Sequence, residues 1–124
     1  MRWVTRMHRT SRRCMALCDD IEYQLSIALL CISLSRTLGG DAELEHRFLR
    51  AILTSWQLVE ELHWVLLRLV HVRDAELARH RASDLIGYHS MLVPSMARRN
   101  WRAVRVLITP HHMDRWMNIL WPLN

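Results

Sequence analysis

The feature that most restricts how this chain can fold is its shortage of turn residues: 3 Gly and 3 Pro in 124 residues. Sandwiches and barrels need a break roughly every 8 to 12 residues, and that punctuation is missing here. The apolar residues therefore have to be buried along long helices. A hydrophobic fraction of 51% fills one core, and 124 residues is a single-domain length, so residues 1–124 are expected to form one helical-bundle domain.

Periodicity places the helices. Arg2, Arg6, Arg9 and Arg13 recur at steps of 4, 3 and 4, with Trp3, Met7, Cys14 and Leu17 on another face, which predicts a basic amphipathic helix over 2–18. Asp19 and Asp20 supply a break and an N-cap for a second helix reaching Thr37. Its run Leu25, Ile27, Ala28, Leu29, Leu30, Cys31, Ile32 and Leu34 is apolar nearly all round, as in a helix buried on several sides, and Gly39 and Gly40 end it. A third helix starts near Asp41, with Glu43 and Glu45 favoured by the positive end of its dipole. Leu44, Phe48, Ile52, Trp56, Val59, Leu62, Leu66 and Leu69 form its apolar stripe, which extends to about Val72.

Asp74 is expected to cap a fourth helix, in which Leu77, Arg81, Leu85, Tyr88 and Leu92 trace one line. Ala78 and Ala82 permit close packing there, and Pro94 stops the helix. Ser95 opens a short helix to Ile108. Thr109, with Pro110 at the first helical position, opens another that carries Trp116, Leu120 and Trp121. The expected fold is all-α: a four-helix bundle with its core over 20–93 and one or two additional short helices in a C-terminal extension over 95–121.

Charge is segregated. Residues 1–13 carry five Arg and no acid, residues 14–97 carry seven Arg against eleven acids, and residues 98–124 carry five Arg against Asp114. Basic ends around an acidic middle attract polyanions, and equally the middle of a second copy, so self-association is one expectation. All 17 basic residues are Arg, which suits bidentate phosphate and carboxylate contacts, although a GC-rich coding sequence produces the same bias without selection for binding. The candidate binding faces for nucleic acid or an acidic protein are Arg2, Arg6, Arg9 and Arg13, then Arg98, Arg102 and Arg105.

Cys14, Cys18 and Cys31 are an odd set in helical context, which argues for buried thiols in a reducing compartment rather than a disulfide scaffold. Cys14 and Cys18 lack a second pair at zinc spacing, so neither a metal nor another cofactor is expected. The uncharged run Tyr23–Ser35 falls short of the ~20 apolar residues of a spanning helix. The Arg residues continue through Arg13 without a signal-peptide pattern. The expectation is a cytoplasmic protein with no integral membrane association.

Three stretches resemble a known family. These are Gln24-Leu25 with Ala28, Cys31-Ile32, Ser35 and Gly39; Phe48-Leu49-Arg50 with Thr54-Ser55 and Glu61-Leu62; and Ile86-Gly87 with Met91-Leu92. In that order and spacing they are similar to the second, third and fourth helices of the small four-helix-bundle family. This family occurs in intervening sequences of bacterial large-subunit rRNA genes and as accessory variability determinants of diversity-generating retroelements. The chain departs from the pattern at Ser35 and Leu38, where the family has Asn and Glu, at Thr54, where it prefers Gly, and in the segment after Pro94. The resemblance implies a ring-shaped homo-oligomer, often a pentamer, with a basic surface, nucleic acid or a reverse transcriptase as partner in some members, and no catalytic residue.

Two other function classes compete. A ribonuclease of the HEPN class pairs an Arg with a His a few residues on. Arg73-Asp74 with His80 looks like that motif, and Arg105 with His111 matches more loosely. Arg would stabilise charge on phosphorus while His moves a proton, but chance pairs are expected among 17 Arg and eight His. A small inhibitor of a host or phage-defence protein is the third class. His63 and His71 are expected at the core margin, and the adjacent His111 and His112 do not face one another for chelation. Trp56 and Trp64 lie on nearly the same helical face, where they stack bases, fill a partner interface or, the favoured expectation, fill the core. Trp101 lies between Arg98 and Arg102 in sequence but turns to the opposite face.

Overall fold

The structure, a computed structural model, describes residues 7–111, and these form four helices and no strand. They are α1 (Arg9–Leu38), α2 (Ala42–Leu69), α3 (Glu76–Ala97) and α4 (Trp101–His111). The chain is all-α as expected, but the helices are divided differently. From Arg9 onward, the segments expected as separate helices over 2–18 and 20–37 are joined in α1, and residues 2–6 lie outside the described residues. Asp19 and Asp20 do not break it, because neither restricts the backbone and the core positions Cys14, Leu17, Cys18, Ile21, Leu25, Ala28, Leu29 and Ile32 run straight past them at helical spacing. The helix starts at Arg9, where His8 Nδ1 accepts from Thr10 N–H at 3.0 Å.

Local signals hold at the first turn. Gly39 adopts φ 82, a conformation in which a side chain is strained, and Asp41 caps α2 by accepting from Glu43 N–H at 2.8 Å and Leu44 N–H at 3.4 Å. The turn brings α2 back antiparallel on α1, and Arg13 near the start of α1 pairs with Glu61 far along α2. At the end of α2 the cap comes from another helix: Arg79 of α3 donates to Leu69 O at 2.9 Å. Asp74 does not cap α3. It takes φ 57 in the connection, and Ala75 occupies the N-cap without a side-chain bond.

Pro94 does not stop α3, which continues to Ala97. The stop lies at Arg99, which takes the left-handed conformation (φ 56) while Arg99 N–H bonds Met96 O and Asn100 N–H bonds Ser95 O, both at 3.0 Å. This is the Schellman arrangement with Arg where Gly is usual. The strain is offset by what the side chain reaches. Arg99 Nη2 donates to both carboxylate oxygens of Glu45, at 2.8 and 2.6 Å, and its guanidinium lies 4.6 Å from the centre of the Phe48 ring. Ser95, expected to open the next helix, instead donates to Met91 O inside α3, and Asn100 opens α4 by accepting from Ala103 N–H at 3.2 Å. Thr109 and Pro110 do not open a new helix, because α4 runs through them to His111. The expected helix with Trp116, Leu120 and Trp121 lies outside the described residues.

One apolar cluster draws on all four helices, including Ile21, Leu25 and Leu29 of α1, Phe48 and Leu62 of α2, Leu92 and Met96 of α3, and Val104 and Ile108 of α4. α1 packs most extensively on α2. α3 runs beside α1 with the close contact that its alanines allow: Ala78 and Ala82 are buried, and the Cys14 thiol donates to Ala78 O at 3.5 Å. Arg81 locks the same edge, its Nη2 lying 2.7 Å from both Asp19 and Glu22. Leu77, expected on the core line of α3, is 84% exposed. No helix among the described residues is long and apolar enough to cross a membrane.

Candidate interaction surfaces

Five of the eleven acids of the middle region form ion pairs within the molecule among the described residues. Asp19 and Glu22 meet Arg81, Glu43 meets Arg47, Glu45 meets Arg99, and Glu61 meets Arg13. Two of these pairs, Arg13 with Glu61 and Arg99 with Glu45, join a basic end of the sequence to its acidic middle across helices. Of the first basic face, Arg2 and Arg6 lie outside the described residues, Arg9 is exposed in the first turn of α1, and Arg13 is held by Glu61.

The second basic face is better assembled. Arg98 follows the last residue of α3, and Arg102 and Arg105 are exposed on α4. Arg98 and Arg102 share the rim of a groove of about 730 Å³ between α3 and α4, whose walls include Met91, Pro94, Val106 and Leu107. Met91 and Val106 are exposed, so the groove offers apolar surface beside two cations, with Ser90, Ser95 and Asn100 completing its polar lining. Neither Arg98 nor Arg102 has an acid partner among the described residues. The sequence reading named these two arginines but missed the groove, because it depends on α3 continuing through Pro94 and on the sharp turn at Arg99. Trp101 turns away from them, as helical geometry requires, and its ring lies 4.7 Å from the Arg36 guanidinium.

Arg73 and His80 are not joined by a hydrogen bond or an ion pair. Arg73 is exposed in the connection before α3, and His80 borders a shallow hollow with Glu76, Arg79 and Ser83. Arg105 is exposed on α4, and the side chain of His111 lies outside the described positions. Trp56 and Trp64 do not fill the core: they are 47% and 64% exposed. The inward line of α2 runs through Phe48, Ala51, Ser55, Val59, Leu62, Val65 and Leu69, which leaves Trp56 at its edge and Trp64 beyond it. His63 and His71 are likewise exposed rather than at the core margin.

The sequence reading also passed over His89, the most unusual polar group in the structure. It is fully buried on α3, and its Nε2 lies 2.8 Å from Ser55 Oγ on α2. Its position on the line Ala82, Leu85, His89, Leu92, Met96 was a signal that would have found it. A Ser beside a His suggests a nucleophile, but the proton points the wrong way. The Ser55 hydroxyl donates to Ile52 O at 2.7 Å, so His89 Nε2–H donates to Ser55, whereas a general base would have to accept from it. Both side chains are closed to solvent, and His89 Nδ1 has no hydrogen-bond partner. Burial lowers the His89 pKa to about 4, and the Trp56 ring meets it edge-on at 4.7 Å.

The cysteines are equally unreactive. All three are buried free thiols; burial, followed by the neighbouring Cys14, pushes Cys18 up to about 12, and burial raises Cys14 and Cys31. In the folded protein none of them is expected to react with an aromatic disulfide reagent within minutes, while all three react in guanidinium. Rapid labelling of the native chain would refute this burial. Among the described residues no group of three His, Cys, Asp or Glu is placed to hold a metal ion. No protein-family model, curated protein or solved structure matches this chain.

Proposed function

We propose that the protein is a non-catalytic, oligomeric helical-bundle interaction protein that engages an acidic protein segment in the groove between α3 and α4. The observation that carries this reading is the pairing of Arg98 and Arg102 with the apolar walls Met91, Pro94, Val106 and Leu107. A nucleic-acid backbone uses the cations and leaves the apolar walls bare, whereas an amphipathic segment with acidic flanks uses both. The groove volume, about 730 Å³, is in the range that takes a few apolar side chains. Three buried free thiols favour a reducing compartment, in keeping with a cytoplasmic protein.

The test is the double variant Arg98→Glu with Arg102→Glu, assayed against a Leu-rich peptide with Asp and Glu flanks and against single-stranded RNA over a range of salt. Charge-assisted contacts contribute about 1.5–3 kcal/mol each when well made, so loss of both is expected to lower peptide affinity by about a hundredfold or more. Binding of RNA with a steep salt slope that the variant flattens, with no peptide binding, would transfer the groove to nucleic acid.

A further inference from the structure

α2 carries a second apolar line besides the one that fills the core. Leu49, Leu53, Trp56, Glu60, His63, Leu67 and Val70 follow one another at steps of 4, 3, 4, 3, 4 and 3, and every one of them is exposed. This is the heptad spacing by which one helix lies along another. Trp64 adjoins the line and is also exposed. Leu49, Leu53, Trp56, Trp64, Leu67 and Val70 each leave about half to two-thirds of their surface bare. At on the order of 100–150 Å² apiece they present roughly 700 Å², more than the largest apolar patch of a typical monomer and close to the ~800 Å² that each partner contributes to a standard interface.

The middle of the line identifies its occupant. Glu60 has no hydrogen bond or ion pair among the described residues. His63 Nδ1–H donates to Val59 O at 3.0 Å, which leaves Nε2 as the ring nitrogen without a partner. A wholly apolar partner, or the acyl region of a membrane, would bury the Glu60 carboxylate unpaired, at high cost. A second copy of α2 laid antiparallel about a two-fold axis between residues 61 and 62 avoids this. Glu60 then stands opposite His63, Leu53 opposite Val70 and Trp56 opposite Leu67, each pair occurring twice, so the surface is complementary to itself.

We propose that two copies of this chain associate through the exposed face of α2 as an antiparallel helix pair centred on reciprocal Glu60 and His63 contacts. This assigns a surface to the self-association in the proposed function. It is independent of the arginine groove, which lies on α3 and α4.

Light scattering and sedimentation equilibrium on the full chain at tens of micromolar test it. The expected result is a two-chain mass for the wild type. Leu53→Glu with Leu67→Glu is expected to give a one-chain mass with the helical content by circular dichroism unchanged, since both side chains lie outside the core. Glu60→His alone is expected to weaken association about tenfold or more, and the exchange Glu60→His with His63→Glu to restore it. Should the double Glu variant unfold early, Leu67→Gln and the exchange decide the matter. A one-chain wild type, a five-chain ring, a dimer indifferent to all of these changes, or a monomer that instead floats with phosphatidylserine vesicles would each overturn the proposal. A dimer that survives Arg98→Glu with Arg102→Glu while peptide binding is lost, or the reverse, separates the two surfaces.

Discussion

Phe48→Ala is expected to destabilise the folded chain by about 3–5 kcal/mol, a large part of the 5–15 kcal/mol that holds a typical domain together. Phe48 is 1% exposed and lies at the first core position of α2. Its removal leaves a cavity in the packed core that its surroundings fill only partly, and it also takes away the ring beneath Arg99. Arg99 holds the left-handed turn between α3 and α4 and pairs with Glu45 one helical turn before Phe48, so the loss extends to the geometry of the arginine groove. Phe48→Leu restores most of the apolar volume but not the ring, and is expected to recover the larger part of the stability. Urea unfolding of the three proteins measures this. A loss below about 1.5 kcal/mol for the alanine variant, with an unchanged denaturant slope, would show that the site does not anchor the core.

Acid is expected to weaken the fold through His89. Above about pH 6.5 neither the folded nor the unfolded chain holds a proton on this residue, and its contribution to stability is fully present. As the pH falls below that value the unfolded chain takes up the proton first, because burial holds the folded pKa near 4. Stability therefore declines from about pH 6.5 and levels off near pH 4, by an amount on the order of 3 kcal/mol. His89→Gln keeps a donor for Ser55 and cannot be protonated, so the difference between wild type and variant isolates this residue from the exposed histidines. Equal slopes for the two proteins between pH 4 and 6.5 would show that His89 is not held neutral. The same residue bears on Trp56, whose ring meets His89 edge-on: in the folded protein its fluorescence is expected to hold between pH 6.5 and 4 and to change only as the pH falls through about 4, where folded His89 takes up its proton.

Several elements were readable from the sequence alone because their causes are local. Helical class follows from the shortage of Gly and Pro, the first turn from Gly39 and Asp41, part of the core line of α2 (Phe48, Val59, Leu62 and Leu69) from its periodicity, and the close approach of α3 from Ala78 and Ala82. The turn and the alanine contact act through residues within about two helical turns of one another, and the helical class and the α2 period need no knowledge of what lies across the fold. The candidate site was half readable. Arg98 and Arg102 stood out as cations, but nothing nearby in sequence indicated that Met91 and Val106 would flank them across a turn.

The remaining decisions were made by residues distant in sequence. α1 passes through Asp19 and Asp20 as one helix, with Arg81 of α3 beside Asp19; α3 ends at an arginine rather than a glycine, with Glu45 and Phe48 there to receive it. His89 goes inside and Trp56 stays half-exposed because it is Ser55, not Trp56, that meets His89 of α3 at that level of the core. The basic and acidic segments of the sequence partly cancel for the same reason, since Arg13 reaches Glu61 only after α2 has folded back. Composition and period determined that the chain is helical and where its first turn falls. Which charges remain available, and which apolar faces remain open, was decided only when the helices packed, because pairing and burial depend on neighbours in space.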